Sequence, residues 1–348
     1  MATKKAAKGA GFKELQKAVK SGELENVYIF YGEESYLRQR YLEEIKELLI
    51  PAGFEEFNFH RLSGKNLTVQ ALSETVEAMP MMAQNTMVVA ADMDIFKLEE
   101  GQRTALIELL SDFPEYCTLI FSYEQIEYKR DGKMKKLIAA LDSYATEVEF
   151  AQQEREQLLR WLKRRFAATG HDIDSATADH LLFTCGTLMT DLVSEIEKVG
   201  AYAKGQNVTV ADINAVCEPI LDARVFDMTN AITARKFDEA ASVLGDLLRM
   251  QTEPIMILAA IGKELRRLYT ARMALDAGKD RFWIKSLWNM SSDYPAKLLM
   301  QAAGRVDHEW CATAVKRCQT LDRRMKSEKN MDSEQELKLF LMELASRK

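Results

Sequence analysis

Residues 27–37 read Val27-Tyr28-Ile29-Phe30-Tyr31-Gly32-Glu33-Glu34-Ser35-Tyr36-Leu37. Apolar and aromatic residues, then one glycine, then polar residues describe a buried strand, a tight turn and the start of a helix. In nucleotide-binding α/β folds a phosphate loop occupies such a place. That loop needs several glycines and a Lys followed by Ser or Thr, because backbone amides and an ammonium together cradle the phosphates. Here the single Gly32 is followed by Glu33 and Glu34. Two carboxylates suit the positive end of a helix dipole, and they repel a phosphate. The stretch predicts the architecture of a nucleotide-binding domain without its nucleotide chemistry.

The pattern continues downstream. A helix is expected over 35–49 from the spacing of Leu37, Tyr41, Ile45, Leu48 and Leu49, ended by Pro51 and Gly53. Residues 56–61 alternate, with Phe57 and Phe59 on one face, and read as a strand. Residues 67–79 read as a second helix with Leu72, Val76 and Met79 on its apolar face. Thr86–Ala91 and Cys117–Ser122 are largely apolar runs, as strands covered on both faces require. Helices over 101–110 and 133–141 and a last strand over 146–150 complete an alternation that argues for a mostly parallel sheet between helices.

From about residue 151 the pattern is helical throughout. Residues 151–218 predict a small bundle, with Thr209 as a helix cap. Residues 219–348 continue as helices, the strongest over 254–277, where Pro254 suits the first turn and Gly278 the end. Residues 1–11 are small and basic, with Lys4, Lys5 and Lys8, and read as a disordered tail. The tail lacks a signal-peptide core. No run of about 18 apolar residues is present. The expected location is therefore the cytoplasm, with no membrane contact.

Net charge is −6 over 348 residues, unevenly spread. Residues 1–150 hold 18 basic and 25 acidic side chains, residues 151–218 hold 7 and 10, and residues 219–348 hold 22 and 18. No part has the strong basic excess of an autonomous nucleic-acid domain. The five cysteines form no C-x-x-C pair, so neither a disulfide framework nor a zinc site is expected, and buried thiols are the preferred reading. No cofactor or metal is expected.

Several stretches in order carry a family resemblance: Val27–Leu37, Ala78-Met-Pro-Met-Met82 before an apolar run, Asp191-Leu-Val-Ser-Glu-Ile-Glu-Lys198, Val225-Phe-Asp-Met-Thr-Asn-Ala-Ile232 and Leu321-Asp-Arg-Arg-Met-Lys326. Together they resemble the delta subunit of the bacterial DNA polymerase III clamp loader. The resemblance implies an AAA+-like α/β domain with a parallel sheet over 12–150, a helical lid over 151–218 and a helical collar over 219–348. It implies a place among clamp-loader ATPase subunits and delta prime in the polymerase III holoenzyme. It also implies a task without catalysis of its own: binding the beta sliding clamp and holding one interface of that ring open for primer–template DNA.

The resemblance places the clamp contact at Met81 and Met82, with Met79 and Pro80 as the supporting tip. Pro80 disfavours helical geometry at Met79, so the following residues should project from the helix end. The other reading puts Met81 and Met82 in the domain's own core beside Met87. Asp92 and Asp94 follow a buried strand, where an acid can hold Mg²⁺ in a nucleotidase, but no phosphate-loop lysine accompanies them, and surface acids are the plainer reading. Lys316, Arg317, Arg323, Arg324, Lys326 and Lys329 form a basic stretch that reads either as a solvated or subunit-facing helix or as a DNA contact in the assembled loader. An active AAA+ ATPase and a DNA-binding adaptor are the alternative functions.

Overall fold

The computed structural model describes residues 10–64, 67–290, 292–328 and 330–345. The chain forms two compact units: residues up to Gln153 together with Leu188–Thr190, and Glu154–Thr187 together with Asp191 onward.

The first unit runs α1 (Ala10–Ser21), β1 (Val27–Tyr31), α2 (Ser35–Leu49), α3 (Glu55–Asn58), β2 (Phe59–Leu62), α4 (Val69–Val76), β3 (Thr86–Ala91), α5 (Glu100–Ser111), β4 (Cys117–Ser122), α6 (Lys135–Tyr144) and β5 (Thr146–Glu149). The strands are all parallel, in the order β2-β3-β4-β1-β5. Every residue of β3 and β4 is buried, which is why those runs lack polar alternation. One core cluster joins Ile29, Val88, Leu119 and Phe121 of the sheet to Leu72, Leu106 and Leu141 of the helices. Elsewhere Phe30 meets Phe150 at a centroid distance of 5.0 Å, and Phe12 of α1 meets Phe150 edge-on at 5.5 Å. The helix-flanked parallel sheet expected from the alternation, and from the AAA+ resemblance, is thus present.

The second unit is helical: α7 (Arg155–Ala168), α8 (Ser175–Cys185), α9 (Met189–Tyr202, whose first residues pack with the first unit), α10 (Val210–Val216), α11 (Leu221–Thr233), α12 (Phe237–Arg249), α13 (Pro254–Asp276), α14 (Arg281–Leu287), α15 (Asp293–Ala303), α16 (His308–Ser327) and α17 (Ser333–Ala345). Thr209 caps α10 by accepting from Asp212 N–H, and Pro254 opens α13. Ile257, Ile261 and Leu265 of α13 pack with Val225, Leu244, Leu321 and Phe340. The expected division at 218/219 falls inside this unit.

Three expectations need correction. Residues 56–58 are helical, and the strand begins only at Phe59; an alternating aromatic pair does not distinguish one helical turn from a strand end. The second helix stops at Val76, not Met79. Beyond Val76 the apolar stripe has nothing left to bury, since Glu77, Ala78 and Met79 face solvent, and the Tyr116 hydroxyl donates to the freed Glu77 carbonyl at 2.8 Å. The tail expectation over 1–11 fails at its end: Ala10 and Gly11 are helical, and a Cβ on Gly11 would lie 1.9 Å from the Glu147 carbonyl oxygen. The rest of the tail, with Lys4, Lys5 and Lys8, lies outside the described residues, as does Lys329.

Candidate functional site

Between α4 and β3 the chain forms an irregular loop over residues 77–85. Met79, Met81 and Met82 point outward, at 79%, 55% and 82% exposure, whereas Met87 on β3 is fully buried. The loop is nevertheless held. The buried Asn58 side chain, at the end of α3, accepts from the Met81 N–H at 2.8 Å and donates to the Met81 carbonyl at 2.9 Å. The same amide nitrogen donates to the Phe54 carbonyl at 2.9 Å. Met82 has φ +54, a left-handed conformation that costs a non-glycine residue roughly 1–2 kcal/mol. The result is an apolar tip on a fixed backbone, beside the start of β2.

The turn after β1 is closed by its own chain. Gly32 has φ +116, and a Cβ there would lie 2.5 Å from the Phe150 carbonyl oxygen. Only glycine fits that approach. The amides that would face a phosphate are taken: Glu34 N–H donates to Phe150 O at 2.9 Å, Ser35 N–H to Glu33 O at 3.0 Å, and Tyr36 N–H to Thr190 Oγ1 at 3.1 Å. Ser35 Oγ lies 2.7 Å from the same Thr190 hydroxyl. Glu33 is exposed and accepts from Gln152 Nε2 at 3.0 Å. Glu34 is fully buried, and its Oε2 accepts from Met189 N–H at 3.2 Å. That carboxylate therefore sits at the N-terminus of α9, where the helix dipole favours it. The buried Arg38 donates through Nη1 to the Gly32 carbonyl at 2.9 Å. Burial pushes its guanidinium below the ordinary value, with the charges of Glu124 and Asp92 opposing.

Asp92 works as a loop anchor. Its Oδ1 accepts from Glu124 N–H at 2.7 Å, Gln125 N–H at 2.9 Å and Ile126 N–H at 3.3 Å, and its own φ is +59. Asp94 pairs with Lys97 at 2.8 Å. The basic stretch on α16 is divided. Arg324 makes a two-pronged contact with Glu336 at 2.9 and 3.0 Å, Arg317 pairs with Glu343 at 3.0 Å, and Lys326 pairs with Asp322 at 2.8 Å. Lys316 and Arg323 are exposed and, seven residues apart, share a helix face.

Two family models cover most of this chain. DNA polymerase III, delta subunit, matches residues 28–151, and DNA polymerase III delta subunit, C-terminal domain, matches residues 222–344. The chain belongs to the DNA polymerase III delta-subunit family. Among relatives, DNA polymerase III subunit delta of Bacillus subtilis (strain 168) is 24% identical over 342 residues, covering 96% of this chain and 97% of that protein. A probable DNA polymerase III subunit delta of Aquifex aeolicus (strain VF5) is 21% identical over 266 residues, covering 74% and 73%. The solved structure of the Bacillus subtilis DNA clamp loader delta protein matches with a TM-score of 0.50 at 23% identity, over 96% of this chain and 99% of that one.

In this delta-family chain, three residues that hold the candidate sites carried no sequence signal. Asn58 lay inside an alternating run, Arg38 inside an amphipathic helix, and Thr190 some 150 residues from the turn it closes. Among the described residues, no helix is long and apolar enough to cross a membrane.

Proposed function

We propose that this chain is the delta subunit of a clamp loader and grips the beta sliding clamp through Met81 and Met82. The observation that supports this reading most directly is the loop itself. It presents two large apolar side chains to solvent on a backbone that a buried amide already holds in shape. Most exposed apolar residues mean little singly, but a rigid apolar tip is what a pocket on another protein takes up at low ordering cost. Met79 and Pro80 support the tip. Methionine adapts to a pocket's shape.

Binding energy at this tip favours the opened clamp only to the extent that the open ring binds better than the closed one. Triphosphate chemistry belongs to the ATPase neighbours. The closed turn at Gly32, with Glu33 and Glu34 and the occupied amides of α2, argues against an active ATPase here. The residues over 151–218 act as lid and those over 219–348 as collar, joining delta prime and the ATPase subunits. Lys316 and Arg323 are the exposed cations that primer–template DNA would meet in the assembled complex; Arg317, Arg324 and Lys326 already have acidic partners. The chain works in the cytoplasm as a non-catalytic part of the DNA polymerase III holoenzyme.

The test is a titration of purified sliding clamp with the wild-type chain and with Met81→Ala/Met82→Ala. Burying two methionines is worth about 3 kcal/mol or more, so affinity should fall at least about 100-fold with folding unchanged. Equal affinity would end this reading.

A further inference from the structure

Cys185 closes α8, Glu195 lies in the middle of α9 and Cys217 caps the end of α10. Their sulfur and carboxylate atoms lie within 4.8 Å of one another, and both thiols are buried. We propose that Cys185, Cys217 and Glu195 form a binding site for a thiophilic divalent cation of the zinc type, tying the three helices together.

The three atoms come from separate helices and converge on one point. Zinc held by two sulfurs at about 2.3 Å in tetrahedral geometry sets them roughly 3.8 Å apart, so closing the cluster needs movements of about 1 Å or less. Glu195 adds to this. One of its oxygens accepts from Lys198 at 2.8 Å, while Oε2 is buried beside the Cys217 thiol and makes no well-formed hydrogen bond among the described residues. A thiol is a weak donor, so a buried carboxylate oxygen held by it is poorly satisfied and suits an ion or water. The other thiols differ. Cys311 packs in an apolar cluster, and Cys318, in another, directs its sulfur at the Leu258 carbonyl 3.8 Å away.

The charges agree with a dication. A dication displaces both thiol protons to solvent, and the Lys198 ammonium balances the remaining charge. Three protein ligands leave the fourth position to water.

The experiment uses the full, reduced chain stripped with chelator and titrated with Co²⁺, whose thiolate complexes show a charge-transfer absorption band. One Co²⁺ per chain should bind, Zn²⁺ should displace it, and the melting temperature should rise with either metal. The band should vanish in Cys185→Ser and in Cys217→Ser, persist in Cys311→Ser, and need at least tenfold more metal in Glu195→Gln. A reduced wild-type chain that shows no band and takes up no Zn²⁺ by native mass spectrometry overturns the proposal, whether or not the variants fold. A band that survives in folded Cys217→Ser overturns it as well.

Discussion

Asn58 holds Met81 by both of its backbone groups, through an N–H···Oδ1 bond of 2.8 Å and an Nδ2–H···O bond of 2.9 Å. The arrangement copies, with one side chain, the pairing a neighbouring strand would give. It lets an exposed loop present its methionines without belonging to a sheet.

Asn58→Ala should therefore cost about 1–3 kcal/mol in urea unfolding, because the Met81 N–H and carbonyl lose this partner and the Phe54 carbonyl loses one of its donors. Clamp affinity should also fall, by roughly three- to tenfold, since the loop must then be ordered on binding. A variant that binds the clamp as tightly as wild type would show that the amide does not preorganise the tip.

Met82 separates strain from contact. Glycine adopts φ +54 freely, so Met82→Gly should leave stability unchanged or raise it by up to about 1 kcal/mol. Clamp affinity should drop by about tenfold or more from the lost side chain. Denaturation and binding titration on the same preparation check both, and a loss of stability would contradict the backbone argument.

Gly32→Ala should be among the most damaging single changes in the first unit. It places a Cβ 2.5 Å from a backbone oxygen at a φ of +116, for an expected loss of about 2–4 kcal/mol. An unfolding midpoint within error of wild type would refute the close packing of this turn against Phe150.

Asp174 gives an acid dependence. It caps α8, its Oδ1 accepting from Ala176 and Thr177 N–H at 2.8 Å each, and these bonds, Thr177 first, hold its carboxyl below the ordinary value. A depressed carboxyl stabilises fully above its unfolded value, and that stability is lost as pH falls through the folded one. Asp174→Ala should cost about 1 kcal/mol at neutral pH and progressively less below about pH 4. Denaturation curves at both pH values measure the difference; a cost that does not change with pH would exclude a charged cap.

How far the chain could be read in advance depended on burial. Residues 27–31, 86–91 and 117–122 are strands at the positions their apolar runs predict, because strands covered on both faces tolerate no polar alternation. The same holds for α2, whose end carries its own stop signals in Pro51 and Gly53. The end of α4 was three residues out because Pro80 marks only where a helix must have stopped. Where it does stop is set by the burial of Val76 and by the Tyr116 hydroxyl. The methionine tip was legible as residues but not as a place: an apolar pair before a strand belongs equally well to the core.

The order of strands and helices, the helical second half and the lack of a phosphate-loop lysine were determined by the sequence alone, since each rests on local periodicity or on a residue type that has no substitute. The tertiary structure decided that Met81 and Met82 face outward, that Thr190 and Phe150 close the turn after β1, and that Cys185, Glu195 and Cys217 meet. Each of these is a contact between residues far apart in the chain, and such contacts exist only once packing has brought separate elements together.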